Sequence, residues 1–495
     1  MNKTNLVEQY AKQVIETGST YQNLDYNYLV NQIYALVGET NVDEELATKL
    51  SLLELAQRLI EIALKNQKIS NTLFNREQLE EKLTNLYTPR PSIVNAKFWN
   101  AYKQTPSAAT DYFYNLSKLN NYIKTAQIKK NISYQVATDF GNLEITINLS
   151  KPEKDPKDIA KAAETKTSDY PKCNLCMQNE GYHGNPKTPI RINHRIVNLL
   201  IDGQPWGFQY SPYAYFEQHC IFLNQKHLPM IINQQTFSNL LEIITMFPTY
   251  FVGSNADLPI VGGSILSHEH YQGGKHDFPM MKAKPRFTFN VDQYAHVKSE
   301  VLKWPMSVIR LTSDNKIDLI NMAELIRQKW NHYSDKSVGV IANSDGKRHH
   351  TLTPIAKKNT QDEFELYLVL RDNNVSSQYP DGIFHPHQEY QHIKKENIGL
   401  IEVMGRAILP ARLKVELTEV EKYLLNEPNK IAEYHLTWAK TIKQNYKITK
   451  ENVSEIIDKE VGIVFMHVLE NAGVFKLNDK GNQAFQKFIA TLNEN

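Results

Sequence analysis

The chain has 495 residues, of which 41% are hydrophobic, 22% charged and 10% aromatic, with 20 glycines and 21 prolines. At roughly 100–200 residues per domain this is a globular protein of about two to four folding units, which excludes collagen-like, low-complexity and wholly disordered chains. The 56 Lys and Arg residues nearly balance the 54 Asp and Glu residues, and the net charge of +2 argues against a dedicated nucleic-acid-binding protein.

The N-terminal segment is not expected to be a secretory signal. It is amphipathic and lacks the continuous apolar region and the small-residue cleavage site of a secretory signal peptide. No stretch of the chain approaches the ~18 consecutive apolar residues that a membrane span needs. We therefore expect a cytoplasmic protein with no membrane contact.

Taken in chain order, residues 1–150 are predicted to form a helical N-terminal extension. Leucines and isoleucines recur at helical spacing over residues 43–64, on a face wide enough for burial on two sides. A second helix is predicted over residues 77–86, ended by the Pro89-Arg-Pro91 sequence, and residues 98–130 are predicted to be mostly helical. The charged stretch 151–157 is interpreted as a linker or an exposed hairpin.

After Lys172 the pattern changes to alternating, strand-like runs separated by turns. A second block repeats the plan of the first more loosely, without a residue-level repeat. The predicted strands lie at 190–199, 213–223, near Phe287 and Val308, and at 338–342 and 364–370; the predicted helices lie at 235–247, 323–333, 431–446 and 456–469. The sequence therefore predicts an α+β middle with helices packed at both ends.

The segment 261–274 is the most informative for chemistry. If residues 268–272 are extended, His268, His270 and Gln272 share one face. The glycines that flank them (Gly262, Gly263, Gly273 and Gly274) let backbone N–H groups approach a bulky anion. A neutral imidazole is a competent nucleophile toward phosphorus, and a Gln amide can donate to a phosphoryl oxygen. The alternatives are a polar loop with two ordinary histidines, or a metal site.

Cys173 and Cys176 form a CxxC pair, which fits a redox pair, half of a zinc site or chance. A tetrahedral zinc site needs two more N or S ligands, and the chain has no second CxxC. Histidines would have to supply them, with His219, His227 and His268 as the candidates. The third cysteine, Cys220, is expected to be a small buried core residue.

Together, the CxxC pair, the Phe222-to-His227 segment and the HxHxQ between two Gly-Gly pairs resemble the galactose-1-phosphate uridylyltransferases of the histidine-triad superfamily. Glu269, Tyr271 and the long N-terminal extension resemble the second class of that family, found in low-GC Gram-positive bacteria. The resemblance implies an α+β fold of two histidine-triad-like antiparallel sheet halves with helices. Their expected bounds are 170–305, with the zinc site and HxHxQ, and 306–495, with the helical tail.

The resemblance also implies a reaction and its residues. UMP passes from UDP-glucose to galactose 1-phosphate through a uridylyl-histidine intermediate. By the resemblance His270 is the nucleophile and Gln272 steadies the phosphoryl oxygens. The implied zinc ligands are Cys173, Cys176, His227 and His268, and the implied substrate contacts are Asn198, Asn255, Gly263, Ser264 and Lys395.

Some first-class relatives hold a second metal through a Glu after HxHxQ and three C-terminal histidines. His350, His385 and His387 resemble those histidines, but no Glu lies between Gln272 and Val297, which argues against a second metal. We expect UDP-glucose, UDP-galactose and hexose 1-phosphates as partners, and a homodimer. Two other functions stay open: a nucleotide hydrolase or phosphorylase of the same superfamily, and a zinc-stabilised binding module.

Overall fold

The structure is a computed structural model, and it describes residues 3–39, 43–45, 50–150, 169–263 and 265–494. The predicted linker at 151–157 lies outside the described residues. The fold is α+β, as the sequence predicts. No helix within these ranges is both long and apolar enough to cross a membrane.

The helices lie mainly at the two ends of the chain. Their bounds are α1 (Leu6–Glu16), α2 (Tyr26–Val37), α3 (Leu52–Lys65), α4 (Leu73–Asn85), α5 (Pro91–Tyr102), α6 (Pro106–Leu119), α7 (Thr125–Ile128), α8 (Gln234–Met246), α9 (Lys316–His332), α10 (Leu400–Val403), α11 (Leu413–Leu424), α12 (Glu433–Asn445), α13 (Val453–Ala472) and α14 (Asp479–Ala490).

The strands lie mainly in the middle of the chain. Their bounds are β1 (Lys3–Asn5), β2 (Asp43–Glu45), β3 (Ile132–Thr138), β4 (Gly141–Ile147), β5 (Val197–Ile201), β6 (Gln204–Tyr210), β7 (Cys220–Asn224), β8 (Phe251–Gly253), β9 (His270–Gly274), β10 (Pro285–Phe289), β11 (Lys298–Leu302), β12 (Val308–Ser313), β13 (Asn343–Ser344), β14 (Lys347–Arg348), β15 (His350–Lys358), β16 (Phe364–Asp372) and β17 (Arg406–Leu409).

Helices α1 to α4 enclose an apolar core of their own, which includes Leu29, Leu59 and Leu83. The predicted helix over 43–64 starts too early. Residues 43–45 form β2, which pairs with β1, and α3 begins after Ser51, whose side chain and Glu54 form a capping box. A Ser followed three residues later by Glu is a strong helix start, and it overrides the apolar periodicity upstream.

The main sheet has ten antiparallel strands in the order β10-β11-β12-β16-β15-β8-β9-β7-β6-β5. It consists of two sets of five strands with the same topology. In each set the strands lie in the order first, second, third, fifth, fourth, and one helix, α8 or α9, connects the third strand to the fourth. The two fourth strands, β8 and β15, pair with each other and join the sets. This is the predicted pair of sheet halves, fused at one edge.

The predicted division of the chain into two functional halves at residues 305 and 306 stays a prediction. In the sheet, the second set of strands begins at Pro285, so this boundary falls between β11 and β12. The predicted strand at 338–342 is wrong, since residues 336–338 form a single 3-10 turn. The predicted strands at 190–199 and 213–223 are shorter than expected, because only β5 and β7 at their ends pair with neighbours.

One face of the sheet is covered by α8, α9 and α14, and by α5 and α6 from the N-terminal region. Their apolar side chains form one core with Phe222, Tyr271 and Leu366 of the sheet. Cys220 is fully buried in this core, as predicted. The opposite face carries His270 and Gln272 and is only partly covered.

A second core lies against that opposite face and contains side chains of α11, α12 and α13. It also contains a small sheet in which β4 lies between β3 and β17, parallel to β17. The sequence did not predict β3 and β4. At β17 the chain therefore returns to the β3–β4 hairpin, which lies more than 250 residues earlier, as the pairing of Arg406 with Glu144 shows.

Candidate active site and metal centre

Four side chains converge to form a metal-type cluster: Cys173, Cys176, His227 and His268. Their ligand atoms all lie within 4.8 Å of one another. The distance is 3.5 Å between the two Sγ atoms, 3.2 Å from Cys173 Sγ to His268 Nδ1 and 3.2 Å from Cys176 Sγ to His227 Nδ1. Metal–ligand distances near those of zinc put the edges of a ligand tetrahedron at roughly 3.3–3.8 Å. The donor set and its spacing therefore fit a tetrahedral metal ion.

Three separate segments supply these ligands. The cysteines lie in a turn just before the short 3-10 helix Met177–Asn179, where Asn179 Nδ2 donates to the Cys173 and Cys176 carbonyls. His227 follows β7, and His268 lies in a bend two residues before β9. The second ring nitrogen of His268 donates to the Asn224 carbonyl at 2.7 Å, as is usual for a histidine that ligates a metal.

His270 is the first residue of β9, so the extended alternation covers His270 and Gln272 while His268 points to the cluster. His270 Nδ1 lies 2.7 Å from the His268 carbonyl oxygen. A carbonyl only accepts, so Nδ1 carries a proton. Burial lowers the pKa of His270 to about 4, which leaves the ring neutral near pH 7. Its lone pair is therefore on Nε2, the form that a nucleophile needs.

Gln272 lies two residues further along the same face of β9 and lines a cavity of about 590 Å³. Asn255 and Gly263 line the same cavity from the segment between β8 and β9. Other lining residues come from the other half of the chain and include Glu396, Gly399, Leu400 and Glu402. Both halves of the protein therefore contribute to this cavity.

Asn255 and Gly263 are closely packed against each other. Asn255 is buried and its Oδ1 accepts from the Leu400 backbone N–H at 2.9 Å. A Cβ at Gly263 would lie 2.6 Å from the Asn255 Nδ2, so a larger residue there would displace the Asn255 side chain. Ser264, the next expected substrate contact, lies outside the described residues.

Asn198 lies on the edge strand β5, apart from this cavity. Across β6 and β7 it is in register with His270, through Gly207 and Leu223. It is therefore on the His270 face, but three strands away, roughly 14 Å at the usual strand spacing. Its Oδ1 accepts from Gln225 Nε2 at 2.9 Å.

The two adjacent lysines differ in their surroundings. Lys395 is exposed and lines a separate cavity of about 790 Å³, together with Arg412 and Trp438. Lys394 is buried, and its Nζ lies 2.6 Å from Glu402 and 3.3 Å from Glu396, two residues of the Gln272 cavity. The structure therefore does not bring Lys395 to the cavity that Gln272 lines.

The side chains of three further histidines, His350, His385 and His387, each contact different groups of the same chain. His350 is fully buried, with Nδ1 donating to the Trp330 carbonyl and Nε2 3.1 Å from Asp372. His385 Nε2 lies 3.1 Å from Asn397 Oδ1, and His387 Nε2 donates to the Ile383 carbonyl. Among the residues that the structure describes, only the Cys173–His268 cluster has metal-ligand spacing.

One contact at the site was missed by sequence reasoning. His219, considered there as a metal ligand, is separate from the cluster, and its Nε2 lies 3.2 Å from Gln272 Oε1. In the sequence, His219 is only a histidine just before a predicted strand. Such a position is too common to indicate which side chain it contacts. Only the register of β7 against β9 brings the two side chains together.

Comparisons with known proteins agree on one family. Residues 19–229 match the N-terminal domain model of galactose-1-phosphate uridyl transferase, and residues 243–440 match its C-terminal domain model. A galactose-1-phosphate uridylyltransferase of Lactiplantibacillus plantarum is 55% identical over 99% of both chains. One of Pediococcus pentosaceus is 56% identical over 98% of this chain and 99% of its own. Among solved structures, a yeast Ap4A phosphorylase is 9% identical, with a TM-score of 0.31 over 52% of this chain and 82% of its own.

Proposed function

The chain belongs to the galactose-1-phosphate uridylyltransferase family, and from this membership we infer that it is a nucleotidyltransferase of galactose metabolism. The reaction is UDP-glucose + galactose 1-phosphate ⇌ glucose 1-phosphate + UDP-galactose. We propose that it proceeds through a uridylyl group carried on His270.

The hydrogen bond from His270 Nδ1 to the His268 carbonyl is the observation that supports this proposal. Because Nδ1 carries the shared proton and burial lowers the pKa of His270 to about 4, the neutral ring presents an unprotonated Nε2. When Nε2 forms a bond to phosphorus, the ring gains positive charge. The His268 carbonyl then accepts a stronger, charge-assisted hydrogen bond, which stabilises the intermediate.

The exchange takes two steps in which atoms and charges balance. In the first, the His270 Nε2 lone pair forms a bond to the α-phosphorus of UDP-glucose, and the bond from that phosphorus to the leaving oxygen breaks. Glucose 1-phosphate departs with that electron pair. In the second, a phosphate oxygen of galactose 1-phosphate attacks the same phosphorus, the P–N bond breaks and the lone pair returns to Nε2. The N–P bond is reactive enough for the transfer to run in both directions.

Gln272 is the proposed donor to the phosphoryl oxygens during both steps. Its amide adds no charge that would compete for a proton, and it lies on the same strand face as His270. Asn255, Gly263 and Ser264 are proposed contacts of the nucleotide, with Asn198 at the far end of the same face. Lys395 is proposed for the sugar phosphate on the family resemblance alone.

Zinc is the metal that we propose for the cluster of Cys173, Cys176, His227 and His268. Two thiolates and two imidazoles are a frequent ligand set for structural zinc. These four side chains would fill all positions of a tetrahedral ion and leave none open for a substrate, so the ion would serve to hold the bend that precedes His270 in place. The chemistry itself remains with the side chains of β9.

The remaining parts of the proposal concern organisation. Residues 170–305 carry the nucleophile and the zinc ligands, residues 306–495 close the cavity through the segment around Gly399, and residues 1–150 form a supporting extension. We propose a homodimer, the commonest assembly of soluble oligomers, to be tested by sedimentation. A cytoplasmic location is proposed from the reduced thiols that the metal site needs.

Incubation of the protein with UDP-glucose alone tests the function. A uridylyl group should remain on the protein, survive alkali and be lost in mild acid, as a phosphoramidate is. Steady-state rates should give parallel double-reciprocal lines as galactose 1-phosphate is varied. Fast release of free UMP without a sugar phosphate would identify a hydrolase instead. Intersecting lines with no labelled protein would mean direct transfer in a ternary complex.

A further inference from the structure

His219 lies beside Gln272 and has no part in the two steps described above. It immediately precedes β7, whose Ile221 pairs with Gln272, so His219 and Gln272 are diagonal neighbours on one face of the sheet. Its Nε2 is 3.2 Å from Gln272 Oε1. The imidazole is buried and packs on the Phe216 ring, with 4.5 Å between the ring centroids. Its position is therefore fixed by packing within the protein.

The Gln272 amide can face its histidine in two ways, with opposite consequences. With Oε1 toward His219, the two N–H donors of the amide are directed away from the histidine, toward the cavity. With the amide nitrogen toward His219, the carbonyl oxygen faces the cavity and meets the phosphoryl oxygens, acceptor against acceptor. Only the first orientation lets Gln272 donate to phosphate.

The surroundings of His219 favour the first orientation. Burial lowers the pKa of His219 to about 4, so the neutral ring carries one proton near pH 7. Its Nδ1 is buried and accepts no hydrogen bond from the residues that the structure describes. A proton on Nδ1 would be a buried donor without a partner, which is rarer in proteins than an unpaired acceptor. The positive charge of Arg406 also disfavours a proton on this ring.

We propose that His219 is a positioning residue for uridylyl transfer: its Nε2–H holds Gln272 Oε1 and so directs the amide N–H groups of Gln272 to the phosphoryl oxygens. This inference rests on the function proposed for Gln272. It assigns to His219 no contact with substrate, and it predicts that His219 acts only through Gln272.

Two replacements, His219→Met and His219→Gln, have nearly the same shape as each other but differ in whether they can donate a hydrogen bond. Comparing them separates the effect of the hydrogen bond from that of the packing. His219→Met keeps a long side chain but has no donor, and should slow single-turnover uridylylation by about 10- to 100-fold. This is at most the lower end of the ~10²–10³-fold cost of removing a transition-state donor, because the Gln272 amide stays in place and is only misdirected part of the time. His219→Gln places an amide N–H where Nε2–H was, and should recover most of the lost rate. UDP-glucose affinity and zinc content should change little in either variant, since neither property depends on the orientation of Gln272.

A double-mutant cycle with Gln272→Ala completes the test. If His219 acts through Gln272, His219→Met should cause no further loss of rate once Gln272 is Ala. Additive losses, equal losses for His219→Met and His219→Gln, or a normal rate for His219→Met would overturn the inference. If Gln272→Ala itself labels at the normal rate, the role proposed for Gln272 fails first, so the two failures are distinguishable. His219→Phe, which fills the ring volume, replaces His219→Met if that variant does not fold.

Discussion

His268 and His270 are two residues apart, yet their imidazoles have different partners. His268 Nδ1 points to the two cysteine sulfurs, whereas His270 Nδ1 donates to the His268 carbonyl. The change occurs because β9 begins only at His270 and leaves His268 in the preceding bend. Two histidines that look equivalent in the sequence therefore have different surroundings, which suit the metal-ligand role proposed for His268 and the nucleophile role proposed for His270.

Replacing each histidine by Asn should separate these roles. We expect His270→Asn to take no uridylyl label while keeping its zinc, because its side chain is not among the ligands. His268→Asn should lose zinc, because one of four ligands is removed. Metal analysis and intact-mass measurement after incubation with UDP-glucose check both results. Zinc loss to the same extent in both variants would favour the zinc-stabilised binding module, with HxH merely structural.

At the scale of elements, the cluster of Cys173, Cys176, His227 and His268 joins three pieces that are far apart in sequence. It ties the turn before Met177 to the end of β7 and to the bend before β9. Met177, the residue that follows this turn, packs over Gly207 of β6. A Cβ at position 207 would lie only 2.7 Å from the Sδ of Met177. The turn is thereby held on the sheet face that carries His270.

Removing one cysteine should release the turn. We expect about one zinc per chain, lost in Cys176→Ser together with part of the free energy of unfolding. A loss of about 3 kcal/mol would lower the melting temperature by roughly 6–12 °C in a folding unit of about 150–250 residues. Cys220→Ser is the matched control, since this buried cysteine lies outside the cluster and its variant should keep the metal. Purified protein without zinc, with a stability indifferent to chelator, would contradict the zinc assignment.

A second connection between elements is ionic and depends on pH. Glu144 of β4 accepts from Arg406 Nε of β17 at 2.6 Å and lies 3.0 Å from His276, just after β9. Burial alone would raise the pKa of Glu144, but the hydrogen bond from His276 and the charge of Arg406 outweigh it and lower the pKa below its ordinary 4.5. A lowered pKa means that the folded state favours the carboxylate. This contribution is therefore complete above pH 4.5 and is lost as the pH falls through the folded-state pKa.

Glu144→Gln should therefore be destabilised at neutral pH but not in acid. We expect its free energy of unfolding at pH 7 to fall by about 1.5–3 kcal/mol, the range for hydrogen bonds to charged groups. The difference from wild type should shrink below pH 4.5, as urea unfolding at a series of pH values would show. Glu455→Gln, at an exposed position, should change little at any pH. A difference that persists unchanged in acid would mean that the charge of Glu144 contributes nothing.

The elements that the sequence predicted are those whose signals are local. The helix at 77–86 is confirmed as α4 and the helix at 235–247 as α8, and the CxxC pair meets His227 and the first histidine of HxH in one cluster. The pairing of β4 with β17 and the contact of His219 with Gln272 were not predictable. Both depend on strand register between segments distant in the chain, and no residue type at either position indicates its partner. The fold class could be predicted from patterns, whereas the orienting contacts at the site needed the structure.

At the scale of the whole molecule, the two sets of five strands are related by an approximate twofold axis. It relates β8 to β15, which pair with each other, and therefore β9 to β16. β16 has no histidine along its length, whereas β9 begins with His270. The topology repeats while the chemistry does not, which is why the sequence showed only a loose echo.

This asymmetry predicts the stoichiometry of the covalent intermediate. β16, the counterpart of β9, has no imidazole, and its Glu365 is a carboxylate that accepts from Tyr367. Without an imidazole on this strand, the second set of strands cannot carry a uridylyl group in the way proposed for β9. Titration with UDP-glucose, with glucose 1-phosphate removed as it forms, should therefore saturate at one uridylyl group per chain by intact mass. His270→Asn should give none, and a second group on the wild-type chain would mean that the other half has a nucleophile of its own.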